Sequence, residues 1–385
     1  MDETIKPFQL AIPDETLADL RARLANTRWP EQETVTDWSQ GVPLARIKAL
    51  CDYWANDYDW RRCEARLNAL GQCHTSIDGL RIHFLHVRSP HPEAVPLILT
   101  HGWPGSVVEF LDVIAPLSDP TAHGGNAADA FHVVLPSLPG YGFSDKPAST
   151  GWNVERIAAA WATLMKRLGY QRFFAQGGDW GAAVSTAVGM LGDSGCAGIH
   201  LNMPLVYPAK DQLLELTEAE QASVAAMKFY RHSDSGYAQL QRTRPQTLAY
   251  ALTDSPAAQA AWIYEKFYFW TDNRGEPESA LTRDAMLDNI MLYWLPATAG
   301  SSARLYWESL AFFRTQTLAL PVGVTIYPKE FSRPSRRWAE RHFADIIHWN
   351  ETDKGGHFAA FEQPALFVTE LRDCFRKIRP RTAGQ

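Results

Sequence analysis

Gln176-Gly177-Gly178-Asp179-Trp180-Gly181 joins a short apolar run at residues 172–176 to a helix-forming segment that begins at Ala182. A sharp turn from a strand into a helix leaves little room beside the backbone, and Gly177 and Gly181 supply that room. The pattern Gly-x-Asp-x-Gly has the form of a nucleophile elbow, with aspartate where hydrolases usually carry serine. Because an aspartate that heads a helix is also a common N-cap, the motif needs support from the rest of the chain.

Apolar runs of strand length recur on both sides of this motif and alternate with helical segments. Strands separated by helices predict a mostly parallel sheet that is covered on both faces, and therefore an α/β fold class. One predicted helix covers residues 153–168, between two of these runs. The other predicted strands are residues 97–100, 131–135, 322–327 and 346–349.

The amino-terminal part of the chain has a different pattern. Leu17, Leu20 and Leu24 fall on one helical face after Pro13-Asp14, and residues 53–70 also have helical spacing. Residues 76–87 predict a β-hairpin with an Asp78-Gly79 turn. We therefore interpret residues 1–95 as a separate amino-terminal region.

Residues 205–310 also interrupt the alternation of strands and helices. They are helical in character and crowded with aromatic side chains. An aromatic-rich helical insertion between strands predicts a cap over an apolar pocket, although most of these rings are expected to be core. The α/β core would then consist of two parts, residues 96–204 and 311–385.

Composition excludes several classes of function. The chain has 385 residues, 46% hydrophobic and 21% charged, as in ordinary globular proteins. The 37 basic and 43 acidic residues give a net charge of −6, so no basic surplus indicates binding to nucleic acid or an anionic membrane. The start lacks the features of a signal peptide, and no apolar run approaches the roughly 20 residues that span a bilayer. We expect a cytoplasmic protein without a membrane anchor.

The cysteines and histidines give no sign of a metal site. The histidines lack paired-ligand spacing, so we predict no metal and no other cofactor. The cysteines are odd in number and contain no CxxC pair, which is typical of reduced thiols. They are Cys51, Cys63, Cys73, Cys196 and Cys374.

Three further motifs support an elbow nucleophile. His101-Gly102-Trp103-Pro104 follows a predicted strand, where a loop of the α/β-hydrolase fold contributes an oxyanion-hole N–H. Glu330 lies just past another strand, and His357 follows the last one, so the order nucleophile, acid, histidine is that of this fold. Asp353 or Glu351 could orient His357 instead of Glu330, and spacing alone favours Glu330 only modestly.

An aspartate nucleophile also predicts the reaction. Attack on an acyl carbon would give a reactive anhydride, whereas attack on an sp³ carbon gives an ordinary alkyl ester that activated water can hydrolyse. Epoxides and alkyl halides are suitable electrophiles. Asp179 would be the ionised nucleophile, His357 the general base for water and Glu330 the group that orients His357. An epoxide would also need an O–H donor for its oxygen, and cap tyrosines are suited to that role.

These motifs resemble the epoxide hydrolases of the α/β-hydrolase fold, in the branch with an amino-terminal epoxide hydrolase region that includes the microsomal and juvenile-hormone enzymes. The resemblance runs from about residue 8 to residue 375. It implies the α/β-hydrolase fold with a mostly parallel central sheet, a helical cap and an amino-terminal extension. The motifs that carry it are residues 101–106, 176–181 and 355–360, with a similar loop at residues 136–144.

The resemblance also implies roles for individual residues. Asp179 matches the nucleophile and His357 the base, and the segment Tyr327-Pro328-Lys329-Glu330 resembles the one that bears the acid, which favours Glu330 over Asp353. Ser235-Gly236-Tyr237 and the segment that ends at Tyr306 look like the two ring-opening tyrosine sites. Backbone N–H groups of Trp103 and Trp180 would form the oxyanion hole. The implied reaction converts an apolar epoxide and water into a vicinal diol.

Two alternatives and one departure accompany this hypothesis. A haloalkane dehalogenase shares the fold and the aspartate, and the Trp180 indole could bind halide, but dehalogenases usually carry asparagine at the position of Trp103. A catalytically silent binding protein would have lost catalytic residues, and no expected member is missing. Membrane-bound relatives carry an amino-terminal anchor, whereas this sequence begins directly with the amino-terminal region, so we expect no membrane attachment. The relatives often pair, so a homodimer is possible.

Overall fold

The computed structural model describes residues 3–309 and 317–379. Nine strands of these residues form one sheet in the order β1-β2-β3-β5-β4-β6-β7-β8-β9. The strands are β1 (Lys6–Pro7), β2 (Gln72–Ile77), β3 (Leu80–Val87), β4 (Val95–Thr100), β5 (Phe131–Pro136), β6 (Phe173–Gly177), β7 (Cys196–Leu201), β8 (Leu318–Ile326) and β9 (Phe343–Glu351).

The central sheet is parallel and the amino-terminal strands extend it in antiparallel fashion. Strands β5, β4, β6, β7, β8 and β9 pair in parallel, whereas β1, β2 and β3 join the β5 edge as antiparallel neighbours. The predicted hairpin is confirmed: Asp78 and Gly79 connect β2 to β3 with φ values of 48° and 83°. A two-residue turn with positive φ at both positions matches the twist of the strands.

Strand β7 was not predicted from the sequence. Its residues, Cys-Ala-Gly-Ile-His-Leu, contain few β-branched or aromatic side chains and therefore give a weak strand signal. Pairing with β6 on one side and β8 on the other stabilises it. A Cβ at Gly198 would come within 2.6 Å of the end of the Ile378 side chain, which would have to shift.

Three helices pack in the amino-terminal region: α1 (Asp14–Ala25), α2 (Leu44–Asn56) and α3 (Trp60–Asn68). Leu17, Leu20 and Leu24 are buried on α1, as predicted. The prediction of helix over residues 53–70 was wrong in one respect, because α2 ends at Asn56 and a separate helix, α3, begins at Trp60. The Asp59 side chain accepts a hydrogen bond from the Arg61 N–H at 2.9 Å, which caps α3 as a new helix.

Helices α4 (Leu111–Ser118), α5 (Val154–Arg167) and α6 (Asp179–Met190) belong to the α/β core. The predicted helix over residues 153–168 corresponds to α5, whose N-cap Asn153 accepts a hydrogen bond from the Arg156 N–H. In α6 the side chains from Trp180 to Val188 are buried, which fits a helix packed between the sheet and its neighbours.

The region between β7 and β8 is a set of helices that forms the cap. Within the described residues these are α7 (Glu218–Phe229), α8 (Gly236–Thr243), α9 (Pro245–Asp254), α10 (Pro256–Trp270), α11 (Arg283–Trp294) and α12 (Ala299–Glu308). Six cap rings in the described part of the chain are buried, as expected of core side chains, whereas Phe229, Tyr250 and Trp307 are exposed, Tyr250 at 72%; the buried rings are Tyr237, Tyr264, Phe267, Trp270, Tyr293 and Tyr306. No helix among the described residues is both long enough and apolar enough to span a bilayer.

The chain ends with α13 (Arg336–Ala339), α14 (Ala359–Glu362) and α15 (Pro364–Arg376). We propose that the chain divides into the four regions expected from the sequence, residues 1–95, 96–204, 205–310 and 311–385. Strand β4 begins at Val95, the last residue of the first region. The limit between residues 310 and 311 lies outside the described residues. In a parallel sheet the carboxyl ends of the strands share one edge, so the loops after β4, β6, β8 and β9 converge there.

Candidate active site

The turn from β6 into α6 places Asp179 at that edge of the sheet. Asp179 is the first residue of α6 and has φ of 50°, a left-handed conformation that costs a non-glycine residue about 1–3 kcal/mol. The N-cap is Gly178, so the N-cap interpretation of Asp179 is wrong. A Cβ at Gly177 would overlap the Gly181 carbonyl, and a Cβ at Gly181 would overlap the Thr100 carbonyl. Both glycines are therefore required for this turn.

The Asp179 carboxylate is held by the loop that follows β4. Its Oδ1 accepts a hydrogen bond from the Trp103 backbone N–H at 2.8 Å. A Cβ at Gly102 would overlap the same carboxylate, so glycine is required for this close approach. The Trp103 N–H therefore binds one carboxylate oxygen of Asp179. The other oxygen, Oδ2, lies 3.5 Å from Nε2 of His357.

His357 and Glu330 form a buried pair next to Asp179. The Nδ1 of His357 lies 2.9 Å from Oε2 of Glu330, whose other oxygen accepts from the Phe331 N–H at 2.8 Å. The backbone N–H of His357 donates to the Trp270 carbonyl at 2.8 Å, so a cap helix fixes the loop that carries the histidine. Burial of the ring opposes protonation, but the carboxylates of Glu330 and Asp179 raise the pKa of His357 well above 6.5.

Of the three acids that could orient His357, the structure brings Glu330 to it. Glu330 is 1% exposed, which fits a carboxylate that is dedicated to an internal partner. Asp353 and Glu351 are both exposed, and Glu351 instead accepts a hydrogen bond from the Trp349 indole at 3.2 Å. Proximity along the chain would favour Asp353 or Glu351, but the acid that contacts His357 is Glu330, 27 residues away in the chain.

Tyr237 of α8 and Tyr306 of α12 lie together above this site. Their ring centroids are 5.9 Å apart, and both contact the indole of Trp103: Tyr237 stacks on it at 4.7 Å and Tyr306 meets its face edge-on at 6.1 Å. Burial, followed by the nearby Asp179 charge, raises the pKa of Tyr306 well above 10, and burial does the same for Tyr237. Both hydroxyls are therefore protonated O–H donors at neutral pH.

Trp180 lies next to Asp179 in α6. Its buried ring packs edge-on against Tyr306, with centroids 4.7 Å apart. The contact brings the first turn of α6 against the cap tyrosine. The donation by the Trp180 backbone N–H that was expected from the sequence stays a prediction.

Four cap residues near Tyr237 were missed by sequence analysis. The hydroxyl of Tyr230 lies 2.9 Å from that of Tyr237. The buried ammonium of Lys266 is 4.6 Å from the Tyr237 ring centroid and pairs with Asp234 at 2.7 Å, while the Trp270 indole donates to the other oxygen of Asp234 at 2.5 Å. The sequence signal for Tyr230 and Trp270 was their place among the many cap aromatics, and no pattern distinguished Asp234 and Lys266 from the other charged cap residues.

Comparison with known proteins identifies the family. The family described as "Epoxide hydrolase N terminus" matches residues 5–110, and "alpha/beta hydrolase fold" matches residues 95–245. A protein of Stigmatella aurantiaca (strain DW4/3-1), named "Putative epoxide hydrolase", is 60% identical over 378 residues, which cover 98% of this chain and 86% of that protein. The chain belongs to the epoxide hydrolase family.

More distant members of the family also match nearly the whole length of this chain. Epoxide hydrolase 1 of Sus scrofa is 35% identical over 401 residues, covering 96% of this chain and 88% of that protein. The crystal structure of juvenile hormone epoxide hydrolase from the silkworm Bombyx mori has a TM-score of 0.90 at 30% identity and covers 99% of this chain and 96% of that chain. The predicted family, fold and enzyme class of this epoxide hydrolase are thereby confirmed.

Proposed function

We propose that this epoxide hydrolase converts an apolar epoxide and water into a vicinal diol through an alkyl ester on Asp179. The observation that carries the proposal is the position of the two buried phenols. Tyr237 and Tyr306 both pack on Trp103, the residue whose N–H holds the Asp179 carboxylate. These ring contacts bring two phenols to the residue that holds the proposed nucleophile, which supports a role for them as O–H donors. An alkyl halide would not require the O–H donors.

Ring opening is the first step. Oδ2 of Asp179 attacks a ring carbon, the carbon–oxygen bond of the epoxide breaks, and the oxygen takes a proton from a tyrosine hydroxyl. The raised pKa values of Tyr237 and Tyr306 support this role, because a phenol that stays protonated can donate to the oxygen as it gains charge. The product is an ester between Asp179 and the alcohol.

Hydrolysis of the ester is the second step. Water adds to the Asp179 carbonyl carbon and passes a proton to Nε2 of His357, while the Trp103 N–H stabilises the oxyanion. We propose that the Trp180 N–H assists there. The bond to the alkyl oxygen then breaks, and that oxygen takes the proton held by His357. The Asp179 carboxyl gives up its proton, which restores the tyrosine hydroxyl, and the diol leaves. Glu330 is expected to orient His357 and to stabilise its charged form, which its 2.9 Å contact supports.

The side chains around the site support an apolar substrate. Trp103, Trp180 and Trp270 are all buried, and Phe331 stacks on the His357 ring at 5.3 Å. Such a lining favours a substrate whose groups beside the epoxide are hydrocarbon or aryl.

The test is the intact mass of a His357→Gln variant after exposure to epoxides and, separately, to alkyl halides. Without its base the enzyme should accumulate the ester, with a mass gain of one whole epoxide that maps to Asp179. A His342→Gln variant changes a histidine before β9 and should turn over without accumulation. A gain of an alkyl group from halides alone would indicate a dehalogenase. No adduct from either panel would contradict the proposal and favour a silent binding protein.

Cytoplasmic location and assembly as a homodimer stay predictions. All five cysteines are unpaired, and Cys51, Cys63 and Cys374 are buried. Unpaired thiols support a reducing compartment. Cell fractionation and sedimentation of the purified enzyme would test the two predictions separately.

A further inference from the structure

A small cavity lies against Asp179 and His357. Its volume is about 20 Å³, and it is lined by both of these residues and by Glu109. A cavity of this size has room for one water molecule, provided that polar partners are present. The cavity therefore borders the two residues that the water would contact in the proposed hydrolysis of the ester.

Glu109 has no other evident role. It belongs to the turn at Val107–Phe110, it is 9% exposed, and its carboxyl makes no hydrogen bond to a described residue. A buried carboxyl without a hydrogen-bond partner is costly, so its position at this cavity calls for one. Gly105 leaves space for it, because a Cβ there would lie 2.8 Å from the Glu109 Oε1.

The protonation of Glu109 suits a place beside an ionised nucleophile. Burial raises its pKa to about 8; the His357 charge opposes this rise and the Asp179 charge adds to it. The carboxyl is therefore mostly neutral at pH 7 and does not repel the Asp179 carboxylate. Its carbonyl oxygen can still accept a hydrogen bond.

We propose that Glu109 holds the hydrolytic water through a hydrogen bond, an inference that rests on the proposed ester mechanism. The water donates one hydrogen to Nε2 of His357 and the other to the Glu109 carboxyl. Its lone pair is then directed to the carbonyl carbon of Asp179. In the attack the oxygen–carbon bond forms and one proton passes to His357. Glu109 keeps its own proton and changes no covalent bond.

The test separates ester formation from ester hydrolysis by rapid-quench mass measurement in single turnovers. Glu109→Leu should slow hydrolysis roughly ten-fold, the value of one lost hydrogen bond, and leave ester formation unchanged. Glu109→Gln keeps an acceptor oxygen and should restore most of the rate. Asp288→Asn is the matched control, since Asp288 is also a buried acid with a raised pKa but pairs with Tyr58 and Arg62.

Hydrolysis at the wild-type rate in Glu109→Leu would overturn the inference, as would equal slowing of both steps or a Glu109→Gln variant as slow as Glu109→Leu. If Glu109→Leu does not fold, Gly105→Ala displaces the carboxyl without removing it and should slow hydrolysis selectively. An unchanged ratio of the two rates in Gly105→Ala would then reject the role. The wild-type enzyme must form an ester in the same experiment, so failure of the ester mechanism is seen separately.

Discussion

His357 and Glu330 approach within 2.9 Å of each other from loops that follow two neighbouring strands, β9 and β8. The acid is buried, and its second oxygen is held by the Phe331 N–H. The pair therefore keeps the imidazole in one orientation, with Nε2 toward Asp179. This relationship explains why the pKa of His357 lies above its ordinary value even though burial alone would lower it.

We expect Glu330→Gln to reduce turnover by roughly 10²- to 10⁴-fold, because an amide cannot stabilise the imidazolium that forms during hydrolysis. Pre-steady-state measurement should show that ester hydrolysis is slowed and that the ester accumulates. Asp353→Asn, in the exposed loop before His357, serves as the control and should leave both steps unchanged. The opposite result, slow hydrolysis in Asp353→Asn alone, would assign the orienting role to Asp353.

Replacement of either cap tyrosine should affect the first step. Tyr237→Phe and Tyr306→Phe should each slow ester formation by roughly 100-fold and slow hydrolysis much less, since in the proposed mechanism the phenol donates only to the opening ring. Stopped-flow tryptophan fluorescence can follow both steps. Tyr250→Phe is a control at an exposed cap position. Equal slowing of the two steps would reject a role in ring opening.

The elbow glycine should be essential for stability. In Gly181→Ala the new Cβ would overlap the Thr100 carbonyl, and we expect a loss of about 3 kcal/mol or more in the free energy of unfolding. Gly192→Ala places a methyl group in open space and should change stability little. Urea unfolding of both variants measures the difference. A Gly181→Ala variant as stable as the wild type would show that the turn can move.

The pH dependence of stability should reveal Glu109. Its pKa is raised from 4.5 in the unfolded chain to about 8 in the folded one, so the folded state binds the proton more tightly. The wild type should therefore lose stability relative to Glu109→Gln as pH rises from 4.5 to about 8, with no further change above that value. Unfolding free energies of both proteins across this range test the prediction, and parallel curves would contradict it.

Much of the core could be predicted because its signals are local. The Gly177 and Gly181 pattern, the Asp78-Gly79 hairpin and the leucines of α1 follow from sterics and periodicity within a few residues. Strand β7 escaped prediction because neighbouring strands, rather than its own composition, stabilise it. The separation of α2 from α3 was not predicted either, because helical spacing continues across it and a single side-chain cap at Asp59 marks the start of the second helix.

The candidate site likewise has features that could be predicted from the sequence and features that could not. The residues alone predicted the elbow and the order of the proposed nucleophile, acid and histidine, whereas the segments that carry Tyr237 and Tyr306 were implied by the family resemblance. The resemblance favoured Glu330 over Asp353, but only the tertiary structure shows that its carboxylate meets His357 and that Glu109 reaches the cavity beside Asp179. Turn and strand patterns are set by neighbours along the chain. Contacts between distant residues depend instead on how the sheet edge and the cap pack, and no short pattern encodes that packing.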